Sequence, residues 1–172
     1  MNPIRLLIVD DHAIVRQGLR AIIRVTPVMQ LAGEAENGRE AVEIAAALQS
    51  DIVLMDLVMP ELDGVAAIMA SKQNQPAVRI IALTTFAEAE LVLGAVQASA
   101  DGYLVKDVDV QELTRAIRMV REGKVRSVDG VDVALRADTI CLHGDGAHAV
   151  EFAKHLRDAF SAEGIEVRSL SS

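Results

Sequence analysis

Residues 4–11 read IRLLIVDD, an apolar run interrupted once by Arg5 and ended by two adjacent aspartates. Such a run lacks the alternation of a half-exposed strand and matches one buried on both faces. The stretch after it, HAIVRQGLRAIIRV (12–25), has helical spacing. The pair then recurs: MQLAGEAE (29–36) with GREAVEIAAALQ (38–49), DIVLMD (51–56) with GVAAIMASK (64–72), VRIIALT (78–84) with AEAELVLGAVQAS (87–99), and GYLVKD (102–107) with VQELTRAIRMVREG (110–123). Five strand-helix units in succession predict an α/β fold: a doubly wound, five-stranded parallel sheet with right-handed helical crossovers.

The fifth helix has the clearest limits. Asp109 and Glu112 form a capping box, Val110, Leu113, Ile117 and Val120 recur on one face, and Gly123 ends it. Beyond it, VRSVDGVDVAL (125–135) predicts a hairpin around Asp129-Gly130, and DTICLH (138–143) a strand. GAHAVEFAKHLRDAFSAEG (146–164) predicts a helix stopped by Gly164, and IEVRSL (165–170) a last strand. The 172 residues therefore divide into one α/β domain over 1–122 and a small β-hairpin and βαβ appendage over 123–172. The appendage either extends the sheet at an exposed edge or lays its helix over the face of the fourth and fifth units.

Composition narrows the class. Hydrophobic residues make up 51% of the chain but aromatic ones only 2%, so the core is built from Ala, Val, Ile and Leu. A formal net charge of −8 speaks against a surface made to hold phosphate backbones. One cysteine cannot form an internal disulfide, and the N-terminus lacks the order of a secretory signal. No apolar run approaches the roughly 18 residues that span a bilayer. The expectation is a cytoplasmic protein without membrane contact.

In an open parallel sheet, ligands sit beyond the carboxyl ends of the strands. Strand one ends there in Asp10-Asp11, strand three in Asp56, strand four in Thr84-Thr85 and strand five in Lys106. Three carboxylates brought together repel one another and raise at least one pKa unless a cation relieves them, and hard oxygen ligands favour Mg2+. A carboxylate beside Mg2+ can act as a nucleophile toward phosphorus, with the metal and a lysine neutralising the transferred oxygens. On this reading Asp56 attacks, and Lys106 and the Thr84 hydroxyl hold what it receives. His12 is expected as a partly exposed helix-start residue, Met55, Met59 and Met69 as core filler, and Pro60 and Gly64 as shapers of the loop after Asp56.

The stretches LLIVDDHAIVRQGL, VLMDLVMPELDG, IIALTT and ADGYLVKD resemble the receiver domain of two-component response regulators over about residues 3–122, in the LuxR/FixJ-type subfamily. The resemblance implies a flavodoxin-like fold, with Asp56 as phosphoacceptor and Lys106 as the phosphate-pairing lysine. It implies a Mg2+ site made by Asp11 directly, with Asp10 assisting, Asp56 itself and the Val58 carbonyl. It places Thr84 and Tyr103 on a switch pair, in which the hydroxyl moves toward the phosphoryl group and the ring turns inward. A sensor histidine kinase is the implied partner, and the fourth and fifth strand-helix units the implied surface for a homodimer.

That subfamily usually continues into a helix-turn-helix, but residues 123–172 carry no such pattern and no basic recognition helix, so DNA binding is not expected of this chain. From about 123 to 168 the sequence instead resembles the C-terminal part of the LamB/YcsF family, the A subunit of bacterial 5-oxoprolinase. The rest of that barrel is missing, and its activity is not carried over. Here ADTICLHGDGAHAVEF (137–152) gathers Cys141, His143, Asp145 and His148. The spacing of the last three matches no metal motif, Cys141 reads as a small buried hydrophobe, and HGDG as a strand-to-helix junction. Three functions compete: a phosphorylation-dependent switch that is not an enzyme and signals by protein contact, a chimeric scaffold whose tail completes the fold, and a small enzyme or partner subunit using the LHGD region.

Overall fold

The computed structural model describes residues 2–85, 88–126, 132–134, 149–162 and 164. Its elements alternate as β1 (Ile4–Val9), α1 (Ala13–Val25), β2 (Met29–Ala35), α2 (Gly38–Leu48), β3 (Ile52–Asp56), α3 (Gly64–Asn74), β4 (Arg79–Thr84), α4 (Ala89–Gln97), β5 (Gly102–Val105) and α5 (Val110–Glu122). The strands form one sheet in the order β2-β1-β3-β4-β5, every pair parallel. This is the doubly wound, flavodoxin-like arrangement that the five strand-helix units predict.

The strands carry no polar alternation because both of their faces are dry. Leu7, Val9, Val53, Met55, Ile80 and Ala82 pack with residues of α2, α3 and α4. Their neighbours Leu6, Ile8, Ile52, Leu54, Ile81 and Leu83 pack on the other face with α1 and α5. Side chains that alternate across the central strands thus enter two cores, and every residue of 6–9, 52–55 and 80–83 is apolar.

Helix starts are fixed by short polar side chains. Asn37 accepts the Glu40 N–H at 2.9 Å, Asp63 that of Ala66 at 2.8 Å and Asp109 that of Glu112 at 2.8 Å. Gly123, at φ 61°, ends α5 and donates to the Met119 carbonyl. Leu113 and Ile117 of α5 are buried, whereas Val110 in its first turn is exposed. Met55 and Met59 fill the core as expected, but Met69 does not: it is 47% exposed. Neighbouring helical positions lie about 100° apart, and in α3 the core-facing stripe is taken by Gly64, Ala67, Ile68 and Ser71.

After α5, β6 (Lys124–Arg126) and β7 (Asp132–Ala134) pair antiparallel in a sheet of their own. The predicted hairpin therefore forms without extending the parallel sheet; its turn, residues 127–131, lies outside the described residues. So do the predicted strands 138–143 and 165–170, and with them Cys141, His143, Asp145 and His148. The last helix, α6 (Ala149–Ala162), is followed by Gly164 at φ 73°. It lies on α4, with Leu156 and Phe160 packed against Val92. Among the described residues no helix is long and apolar enough to cross a membrane.

Candidate functional site

The strand order reverses between β1 and β3, and the crevice beyond their carboxyl ends is the default ligand site of such a sheet. Backbone bonds continue past the strand ends and fix the depth of each functional residue. Asp10 donates to the Ala35 carbonyl at 3.2 Å, Leu57 to Leu83 at 3.0 Å and Lys106 to Thr84 at 2.7 Å. As a result Asp10, Asp11, His12 and Asp56 each place a ligand atom within 4.8 Å of the others. Lys106 reaches over from β5, its Nζ lying 2.6 Å from Asp10 Oδ2 and 2.7 Å from Asp56 Oδ2.

Asp10 and Asp56 are buried, Asp11 is partly so. Val58 meets the cluster through its backbone N–H, which donates to Asp56 Oδ1 at 3.2 Å. His12 caps α1, and its side chain is 65% exposed with Nδ1 2.8 Å from Asp11 Oδ1. Burial lifts the Asp56 carboxyl above the ordinary carboxylate range; the bonds from Lys106 and the Val58 N–H offset this only in part, and Asp10 adds to the rise. Burial pulls Lys106 the other way, but Asp10 and Asp56 together outweigh it and hold the ammonium above its usual range.

Asp10 and Asp56 share the Lys106 ammonium, and Asp11 stands at the rim beside His12. Asp10 Oδ2 is faced by the Lys106 ammonium and Asp11 Oδ1 by His12 Nδ1. Ligands of an octahedral Mg2+ stand about 3 Å apart when adjacent and about 4 Å apart across the ion, a spread that the 4.8 Å cluster accommodates. The oxygen donors fit Mg2+.

Thr84, the buried last residue of β4, and Tyr103 of β5 share a side-chain hydrogen bond. Burial pushes the Tyr103 phenol up to about 12, with the Thr84 bond lowering it and the nearby Glu88 raising it. The phenol keeps its proton longer in the folded chain than in the unfolded one, so its contribution to stability is complete below about pH 10 and is lost as the pH rises to about 12. Tyr103 is the single tyrosine and there is no tryptophan, so ultraviolet absorbance of phenolate reports this ring alone. We expect a native titration midpoint about two units above that in urea; coincident midpoints would refute the burial.

One residue of the site escaped the reading of the sequence. Arg16, buried in α1, donates from Nη1 to the Asp10 carbonyl at 2.8 Å, pairs with Glu36 through Nη2, and lies 3.6 Å from Glu34 through Nε. It ties the end of β1 to the end of β2. The signal was its place seven residues before Ile23, on the core-facing stripe of α1.

A doubly wound sheet with an acidic, cation-fitting pocket at its reversal point, crossed by a lysine from the edge strand, defines the class of molecule. The chain belongs to the response regulator receiver domain family, which matches residues 6–118. It is 41% identical over 121 residues to the transcriptional regulatory protein YdfI of Bacillus subtilis (strain 168), covering 70% of this chain and 56% of that protein. The chain spans little more than half the length of the curated relatives it matches. Among solved structures it is similar to a two-component response regulator of the LuxR family from Aurantimonas sp. SI85-9A1, with 28% identity, a TM-score of 0.70, and coverage of 96% of this chain and 100% of that one. It is also similar to the response regulator domain of Thermotoga maritima CheB, with 31% identity, a TM-score of 0.66, and coverage of 70% and 98%. It is a receiver of the LuxR/NarL type; receivers partner with histidine kinases and bind Mg2+ at an acidic pocket.

Proposed function

We propose that the chain is a phosphorylation-dependent switch in which Asp56 accepts a phosphoryl group from a sensor histidine kinase or a small phosphodonor, and in which the change is read by protein contact. The observation that carries the reading is Lys106 Nζ bridging Asp10 Oδ2 and Asp56 Oδ2 beside an oxygen-rich pocket. The Lys106 ammonium and its hydrogen bond favour the Asp56 carboxylate, while burial makes that carboxylate more basic and so a better nucleophile toward phosphorus. An Asp56 oxygen forms the new bond to phosphorus as the bond to the leaving group breaks; acetate departs from acetyl phosphate as the anion, whereas the imidazole of a phosphohistidine donor leaves with a proton on its nitrogen. Asp10, Asp11, Asp56 and the Val58 carbonyl would hold Mg2+, which would neutralise charge on the transferred oxygens. Lys106 then pairs with a phosphoryl oxygen, Thr84 turns its hydroxyl toward the group, and the Tyr103 ring follows inward.

Residues 1–122 act as the receiver and residues 123–172 as an appendage that resembles a fragment of the 5-oxoprolinase A subunit. We assign the chain no enzymatic activity from that barrel. The relatives' names describe transcriptional regulation; here the 121 aligned residues are assigned to signal reception, and output to protein contact rather than DNA. The protein acts in the cytoplasm and pairs with a second copy through its fourth and fifth units. Intact mass after incubation with Mg2+ and acetyl phosphate tests this. One phosphoryl group should add, EDTA should prevent it, and deletion of residues 124–172 should leave the acceptor working. A mass that never changes would leave the chain a scaffold.

A further inference from the structure

The turn from β1 into α1 carries the first carboxylates of the acidic pocket, and Arg16 folds back over it. The Asp10 N–H donates to the Ala35 carbonyl at 3.2 Å, its Oδ1 accepts the His12 N–H at 2.8 Å, and its carbonyl accepts Arg16 Nη1 at 2.8 Å. That carbonyl and the Asp11 N–H belong to one planar peptide group. The guanidinium therefore sets the plane from which the Asp11 side chain hangs.

Arg16 is itself braced from β2. Glu36 binds its Nη2, Glu34 lies 3.6 Å from its Nε, and Arg20 clasps Glu34 at 2.8 and 3.0 Å. Both glutamates meet α1 because β2 carries a bulge: the register pairs Leu6 with Leu31 but Leu7 with Gly33, skipping Ala32. A slip of one residue sends every later side chain to the opposite face, so Gly33 faces α2 while Glu34 and Glu36 face α1. An apolar side chain at position 16 would fill this stripe, as Ile23 does, without the desolvation cost of a buried guanidinium. It could not grip a carbonyl and two carboxylates at once.

We infer that Arg16 is a positioning residue for the cation: braced by Glu34 and Glu36, it fixes the Asp10–Asp11 peptide so that the Asp11 carboxylate stands ready to take Mg2+. This deepens the switch reading and rests on its Mg2+ site. The sign of the effect separates the role from plain electrostatics. Removing a nearby positive charge would by itself favour a divalent cation, whereas loosening the Asp10–Asp11 peptide weakens its binding.

Calorimetric titration of the full chain with Mg2+ tests it. Arg16→Met should raise the Kd about tenfold, and Arg16→Lys, which keeps the charge but not the planar fork, about threefold. Asp56, Lys106 and Thr84 are untouched, so at saturating Mg2+ both variants should accept phosphoryl groups from acetyl phosphate within about twofold of the parental rate. Unchanged or tighter Mg2+ binding in the variants overturns the inference, as does a rate that stays about tenfold low at saturating Mg2+. The parent supplies a test that needs no variant. By reciprocity a bound cation tightens the grip of Arg16 on the Asp10 carbonyl, so exchange of its guanidinium protons, followed by NMR, should slow about tenfold with Mg2+. Exchange that ignores Mg2+ overturns the inference alone; a parent that binds no Mg2+ overturns the cation site and this inference with it.

Discussion

Gly64→Ala is expected to destabilise the chain by about 3 kcal/mol, with a fall in Tm on the order of 10 °C. A Cβ at this position would stand 2.0 Å from the Asp56 carbonyl oxygen and 2.6 Å from Leu57 Cα, both backbone atoms that no rotamer change can move. Gly64 also donates to the Leu57 carbonyl at 3.0 Å, so α3 begins directly against the strand end that presents Asp56. The same clash displaces Asp56, and phosphoryl acceptance should fall with stability. Gly18→Ala is the matched control: it lies inside α1 with nothing within 4 Å of the added Cβ. It should stabilise by about 0.5–1 kcal/mol through helix propensity and reduced freedom of the unfolded chain. Thermal melts of the two variants should move in opposite directions, and a tolerated Gly64→Ala would contradict the packing described.

The second large effect belongs to Lys106. Its ammonium lies 2.6 Å from Asp10 and 2.7 Å from Asp56, and Lys106→Ala leaves both buried carboxylates without it. The rate of transfer from acetyl phosphate should drop about 100-fold, the order expected when one charged group that meets the developing negative charge is removed from a preorganised site, ~3 kcal/mol. Asp56 should become harder to ionise, since the lysine's bond and charge both hold its pKa down. Added Mg2+ should then raise the melting temperature of the variant more than that of the parent, because the cation replaces the missing charge. A variant that accepts phosphoryl groups at the parental rate would remove Lys106 from the chemistry.

The sheet was legible because its strands are buried on both faces, which leaves runs such as VLM at 53–55 without polar interruption. The pocket was legible for a related reason: when every interior position is apolar, polar residues at strand ends stand out, and parallel topology gathers Asp10, Asp56, Thr84 and Lys106 at one edge. Arg16 was not, because its value lies in a backbone carbonyl and in two glutamates at the far end of β2, contacts that leave no mark in local sequence. Met69 was misjudged since its type says apolar while its position on α3 says surface. The seat of α6 joins residues more than 60 positions apart, such as Val92 and Leu156, so local pattern left open whether the appendage would extend the sheet or cover α4.

The most direct test of the account is the intact mass of the parent and of Asp56→Asn after incubation with Mg2+ and acetyl phosphate. The parent should gain one phosphoryl group and the variant none. Equal gain in both would place the phosphoryl group elsewhere, and no gain in the parent would contradict the switch itself.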